Sequence, residues 1–113
     1  MNEEQIDMAF LPMITIGNNV TIAETKILAH DASAEKFIGS TKVGEVTVGD
    51  NVFIGAGSIL LPDTTIEKNT VIGAGTVVRG KVPDNSVTLG NPCRVVCSLD
   101  EYLEKRINRV SSH

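Results

Sequence analysis

Tryptophan is absent, and aromatic residues make up only 4% of the 113-residue chain. A core of aromatic rings is therefore excluded, and aliphatic and small side chains must fill the interior. No apolar run approaches the roughly 20 residues of a membrane span. Basic residues are not in excess: 10 Lys and Arg stand against 14 Asp and Glu, for a formal net charge of -4. That argues against a general nucleic-acid binder, which would show a basic stripe. The opening MNEEQID is acidic and lacks the basic start and apolar stretch of a signal peptide, so the cytoplasm is the expected compartment. Cysteine is scarce, with only Cys93 and Cys97. Two cysteines without a secretory signal do not make a disulfide framework, and small, partly buried thiols are expected. The two histidines are His30 and the final residue, His113, too few ligands for a metal site. No G-x-G-x-x-G opens a helix after a strand and no G-x-x-x-x-G-K-[ST] occurs, so the glycines are not a nucleotide fingerprint.

What the chain has instead is a six-residue beat. Val48, Ile54, Leu60, Ile66, Ile72 and Val78 recur at one constant interval, unlike the 3.6 of a helix or the 2 of a strand. Ile, Leu and Val account for 31 of the 113 residues, so six at a fixed spacing arise by chance with a probability of roughly 0.0004, or about 0.002 when six frames are allowed. Four residues after each of these anchors stand Val52, Ser58, Thr64, Thr70, Thr76 and Val82, all small or β-branched. Gly49, Gly55 and Gly73 directly follow three anchors. Upstream the same frame gives anchors Ile16, Ile22 and Leu28, with Val20, Lys26 and Ala32 in the second column.

The physical solution is a solenoid. Each hexad supplies a short strand and a corner, three hexads make a triangular turn of about 18 residues, and turns stack at sheet spacing, about 4.8 Å. Coil one runs from Ile16 to about Ser33, coil two starts at Val48 and coil three at Ile66. Residues 34–45, AEKFIGSTKVGE, do not fit the frame and are expected to leave a corner as a loop. Such loops on rigid scaffolds carry function. After the repeat, SLDEYLEKRINRV is expected to be a helix capped by Ser98, with Glu101 completing a capping box. Leu99, Leu103, Ile107 and Val110 form its apolar stripe, placed to cover the open end of the solenoid. The expected organisation is one β-solenoid domain over residues 1–97 and a capping helix with its tail over 98–113. In the first twelve residues only fragments of the beat occur, around Ile6 and Phe10.

The string VTVGDNVFIGAGSILLPDTTIEKNTVIGAGTVV, the segment ILAHDAS and the ending GNPCRVV resemble the hexapeptide-repeat acyltransferases. The similarity is to the sugar and polysaccharide O-acetyltransferases of the galactoside and maltose acetyltransferase-like branch, and it covers about residues 6–100. It implies an all-β, left-handed parallel β-helix with an extruded loop and a C-terminal helix; the handedness comes from the resemblance alone. It further implies a homotrimer with active sites in grooves between subunits, acetyl-CoA as co-substrate, and a histidine before the extruded loop as general base. His30 matches that histidine. For CoA the matching positions are Ala56, Ala74, Arg79, Gly80 and Arg94; Asp7 and Asp31 match acceptor contacts. The family usually has Thr-Lys-Asp where this chain has Arg79-Gly80-Lys81, and Gly where it has Asp63 and Glu67.

The chemistry suits these residue types. An alcohol attacking a thioester needs a base to take its proton, and imidazole is suited to that near neutral pH. Guanidinium forks fit phosphates, and small residues let a thin pantetheine arm lie on the backbone. The corner Gly55–Gly57 offers backbone N–H groups for an oxyanion. Taken alone, His30 reads equally as a solvated corner histidine, Asp31 as a turn aspartate rather than an orienter of the imidazole, and each Arg as a surface charge. Serine O-acetyltransferase and a shortened, non-catalytic β-helix scaffold are the competing readings. A zinc enzyme on the same helix would need three histidines.

Overall fold

The computed structural model describes residues 13–28, 30–31 and 42–111. In chain order the strands are β1 (Ile14–Ile16), β2 (Thr21–Ile22), β3 (Lys26–Ile27), β4 (His30–Asp31), β5 (Lys42–Val43), β6 (Val46–Val48) and β7 (Val52–Ile54). They continue with β8 (Ile59–Leu60), β9 (Thr64–Ile66), β10 (Thr70–Ile72), β11 (Val77–Val78), β12 (Lys81–Val82), β13 (Ser86–Leu89) and β14 (Arg94–Ser98). Helix α1 (Leu99–Ser111) follows.

From β6 to β13 the chain visits three sheets in rotation. The first sheet orders β1-β6-β9-β12, the second β2-β7-β10-β13 with β14 on its edge, and the third β3-β8-β11. Pairing within each rotation is parallel. Val46 pairs with Thr64, Val52 with Thr70 and Ile59 with Val77, so residues 18 apart are neighbours, as the sequence predicts.

All six anchors from Val48 to Val78 are buried. So are Val52, Ser58, Thr64, Thr70, Thr76 and Val82. The two columns are alternate residues of the same strands, which is why both point inward. Buried hydroxyls need partners, and corner carbonyls supply them. Ser58 Oγ donates to Gly73 O at 3.1 Å, Thr64 Oγ1 to Val78 O at 3.1 Å and Thr76 Oγ1 to Gly73 O at 2.6 Å. Thr at this column thus fills volume while its hydroxyl finds a buried acceptor; Val78 O takes the Thr64 hydroxyl in addition to Leu61 N at 3.0 Å.

Coil one departs from the six-residue count. Ile14 pairs with Val46 and Thr21 with Phe53, but Lys26 pairs with Ile59. The corner after β2 is one residue shorter than that after β7, so the frame slips. Ile27, not Leu28, is the buried anchor, and Thr25, not Lys26, is the buried hydroxyl. Lys26 is exposed. A second slip comes later: Val82 pairs with Ile66 and takes an anchor's place rather than the second column.

The corners each need a left-handed residue, and the sequence provides one three places after most anchors. Asn19, Asn51, Asn69 and Asn85 have φ of 57°, 55°, 56° and 51°. They stack on one edge, between the first and second sheets. Asn19 Nδ2 donates to Asn51 Oδ1 at 2.7 Å, and Asn51 Nδ2 to Asn69 Oδ1 at 3.3 Å. Asparagine tolerates this conformation better than other residues with a Cβ. Asp63, at φ 64°, does the same. Glu67 is not among the positive-φ residues, so its departure from the glycine of the family costs no backbone strain.

Of the stretch 34–45, residues 34–41 lie outside the described residues. Its C-terminal part is not loop: β5 pairs antiparallel with β4, His30 opposite Val43. At the other end β14 turns back antiparallel on β13. Ser98 Oγ accepts from Glu101 N at 3.1 Å, the predicted N-cap. Leu103 and Ile107 remain 45% and 64% exposed, and Leu99 and Leu103 line a groove with Phe53 and Val71 on the outer face of the second sheet. Among the described residues no helix is long and apolar enough to cross a membrane.

Substitutions should separate core from edge. In urea denaturation Leu60→Ala is expected to lose about 2–5 kcal/mol. Asn51→Ala should lose about 1–3 kcal/mol through its left-handed backbone and broken ladder. Asn51→Gly should lose less, because glycine removes only the ladder; equal losses for the two Asn51 variants would contradict the backbone term.

Candidate functional site

The predicted site residues fall on two edges that border the third sheet. The first lies between the second and third sheets. There Gly55–Ala56–Gly57 of coil two stacks on Gly73–Ala74–Gly75 of coil three: Gly55 N donates to Ile72 O at 2.8 Å and Gly75 N to Ala56 O at 2.9 Å. Ala56 and Ala74 are exposed on this edge. Arg94 joins them, because it pairs with Leu89 where β14 begins, beyond the turn that continues the same edge. Arg94 is exposed.

Arg79 and Gly80 stand on the other edge, between the third and first sheets, with Gly80 at φ 76° and its carbonyl accepting from Thr65 N at 2.9 Å. His30 and Asp31 follow β3 on that side, their backbone in the ladder with β5. Asp7 lies outside the described residues. The five CoA positions are therefore divided across the third sheet, three on one edge and two on the other.

Lys81 is not on the edge of Arg79 but on β12 in the first sheet, where it pairs with Glu67 at 3.4 Å, an exposed contact of small energetic worth. Nor are the glycine amides of the corner free for an oxyanion, since Gly55 N–H is bonded to Ile72 O and Gly57 N–H to Glu24 O at 2.6 Å. Stacking coils consumes these donors.

A cavity of about 320 Å³ opens where the first of these edges reaches coil one, lined by Glu24, Lys26, Gly57, Ser58 and Ile59. Sequence inspection missed it. The available signal was the slipped frame itself: Thr25 two places before Ile27 repeats Ser58 before Leu60 and Thr76 before Val78. Among the described residues no group of three or more His, Cys, Asp or Glu comes together to hold a metal ion.

Residues 45–80 match the family of the bacterial transferase hexapeptide, six repeats. The chain belongs to the hexapeptide-repeat acyltransferase superfamily. Within it, the galactoside O-acetyltransferase of Escherichia coli (strain K12) is 38% identical over 92 residues, 78% of this chain and 45% of its own length. The solved maltose O-acetyltransferase of Clostridium difficile 630 superposes with a TM-score of 0.68 at 43% identity, covering 75% of this chain and 48% of that one. A galactoside acetyltransferase solved in complex with coenzyme A gives 0.68 at 36% identity, covering 76% and 45%. The chain spans about half the length of the curated relatives it matches.

The glycine edge makes its own prediction. A Cβ on Gly55 would meet Ala74 N at 2.6 Å, whereas one on Gly57 would have 3.9 Å to Gly75 but a φ of +79°. Gly57→Ala is expected to cost about 1–2 kcal/mol. Gly55→Ala should cost more, because stacked backbone must move apart; a smaller urea-midpoint shift than for Gly57→Ala would refute the close stacking.

Proposed function

We propose that this protein is an acetyl-CoA-dependent O-acetyltransferase acting on a hydroxyl of a sugar or similar small acceptor, with His30 as general base. The observation that carries this is the likeness to the galactoside acetyltransferase solved with coenzyme A, joined to the six-residue solenoid and the out-of-frame stretch 34–45 that begins four residues after His30. In this reading the repeat belongs to a left-handed parallel β-helix domain of residues 1–97, followed by a capping helix and tail of 98–113; the mostly parallel strands and the likeness to hexapeptide-repeat acetyltransferases support it. Three copies associate side by side in the cytoplasm, and the donor lies in the crevice between two of them.

The pantetheine arm runs along the edge of Ala56 and Ala74, where exposed small residues let it approach the backbone. Arg94 and Arg79 meet the phosphates with fork-shaped donors, and Gly80 keeps the second edge low. The imidazole of His30 takes the proton of the acceptor hydroxyl as its oxygen attacks the thioester carbonyl. The tetrahedral oxyanion then collapses, the C–S bond breaks, and the proton passes to the departing thiolate of CoA. Asp31 and Asp7 contact the acceptor. Holding the two substrates in line supplies much of the acceleration, and the positioned base contributes about 100- to 10,000-fold.

Two measurements test this. His30→Ala should lower acetyl transfer by about 100- to 10,000-fold while light scattering still reports a trimer; undiminished turnover would remove the base. Calorimetry should detect CoA binding that weakens about tenfold in Arg94→Ala. Failure of the unaltered protein to bind millimolar CoA would end the transferase proposal.

A further inference from the structure

We infer that Lys26 is a self-acetylation site, whose amine takes the acetyl group of a bound thioester when no hydroxyl acceptor is present. This rests on the transferase proposal and gives the same acetyl group a second destination. Stacked coils fix where the reactive end of the donor arrives. Gly75 N donates to Ala56 O at 2.9 Å, and Gly57 N to Glu24 O at 2.6 Å, so Ala74, Ala56 and Glu24 form one column. Coils two and three place a glycine between the alanine and the buried hydroxyl. Coil one omits it, and Glu24 is followed at once by buried Thr25 and exposed Lys26. An arm held at Arg94 and laid on Ala74 and Ala56 crosses three sheet spacings, about 14 Å. It then meets the first long side chain of its column, Glu24.

Lys26 stands where that arm ends. It pairs in register with Ile59, and Ile59 with Val77, so this outward column of the third sheet reads lysine, isoleucine, valine. Its one amine lies at the coil where the alanine edge stops. Glu24 and Lys26 flank the buried Thr25 and so leave the strand on the same side. Both line the cavity of about 320 Å³, together with Gly57, Ser58 and Ile59. Among the described residues no ion pair holds the Lys26 ammonium, whereas Glu67 holds that of Lys81 at 3.4 Å. His30 follows β3 on the far side of the third sheet, out of reach of this cavity in the same copy. A hydroxyl here would lack a histidine base; an unprotonated amine attacks with its own electron pair. The Lys26 nitrogen adds to the thioester carbonyl, a C–N bond forms, and the C–S bond breaks as the intermediate collapses. Of the ammonium protons, one passes to Glu24 or water, one to the departing thiolate, and one stays on the amide nitrogen. The charge is lost, and an acetamide fills the end of the donor's path.

The test incubates the full chain with millimolar acetyl-CoA and no acceptor, and follows each lysine by peptide mass mapping. Lys26 should gain an acetyl group about tenfold or more faster than the exposed Lys68 and Lys105, because the bound thioester is held beside one amine only. Acetic anhydride, which needs no donor groove, should label the three without that preference. Excess CoA should suppress labelling at Lys26 and leave Lys68 and Lys105 unaffected. Arg94→Ala should slow labelling at Lys26 about tenfold and not at Lys68. Equal rates at the three lysines would overturn the inference. So would a Lys26 preference that acetic anhydride reproduces, or one that excess CoA leaves intact. The transferase proposal is judged separately, by CoA binding in calorimetry and by acetyl transfer to hydroxyls. A protein that binds CoA and leaves Lys26 unlabelled keeps that proposal and loses this inference; one that does not bind CoA loses both.

Discussion

Backbone hydrogen bonds between successive coils govern everything else in this molecule. Val46 must lie beside Thr64, and Ile54 beside Ile72, so each coil inherits its register from the one before. Side chains are then sorted by the pleat: one column of aliphatics and one of hydroxyls point inward, and what is left faces outward or marks a corner. The buried core is aliphatic and hydroxylic, and Phe53 on β7 stays 47% exposed. That is the physical content of a chain without tryptophan. The inward hydroxyls are tolerated because carbonyls of the coils lie within reach to accept from them.

The corners differ, and their differences divide the surface into distinct regions. Between the first and second sheets, asparagines both adopt the left-handed turn and bond to one another, so that edge is self-satisfied. Between the second and third sheets, glycines make the turns of coils two and three and leave no side chain there beyond Ala56 and Ala74. This edge offers bare, closely stacked backbone along which a slender ligand can lie. This edge and that of Arg79, on either side of the third sheet, are where the described candidate residues have their place.

Much of this was legible in the hexad. The anchors from Val48 to Val78, their second column, the 18-residue pairing and the Ser98 cap all follow from spacing and residue type. Coil one was misframed because a deletion of one residue at a corner leaves both frames plausible: Leu28 and Ile27 are equally aliphatic, and only the hydroxyl at Thr25 distinguishes them. The asparagine ladder went unnoticed because attention to inward columns passes over corner residues, although each Asn follows an anchor by three. The reversal into β14 has no period to announce it. The site was legible in part. A histidine before an insertion stands out, but the cavity beside Glu24 results from a missing residue, which composition and motif do not reveal.

The stacked asparagines carry a consequence for how the molecule ages. A primary amide both gives and receives a hydrogen bond, and that is what lets Asn51 bridge Asn19 above and Asn69 below. Spontaneous hydrolysis of a single amide to a carboxylate would leave that residue able only to receive, and a second such event would set two anions facing each other across one sheet spacing. The edge whose side chains satisfy one another in the fresh chain is therefore the one where slow chemical damage would turn neighbours from partners into opponents.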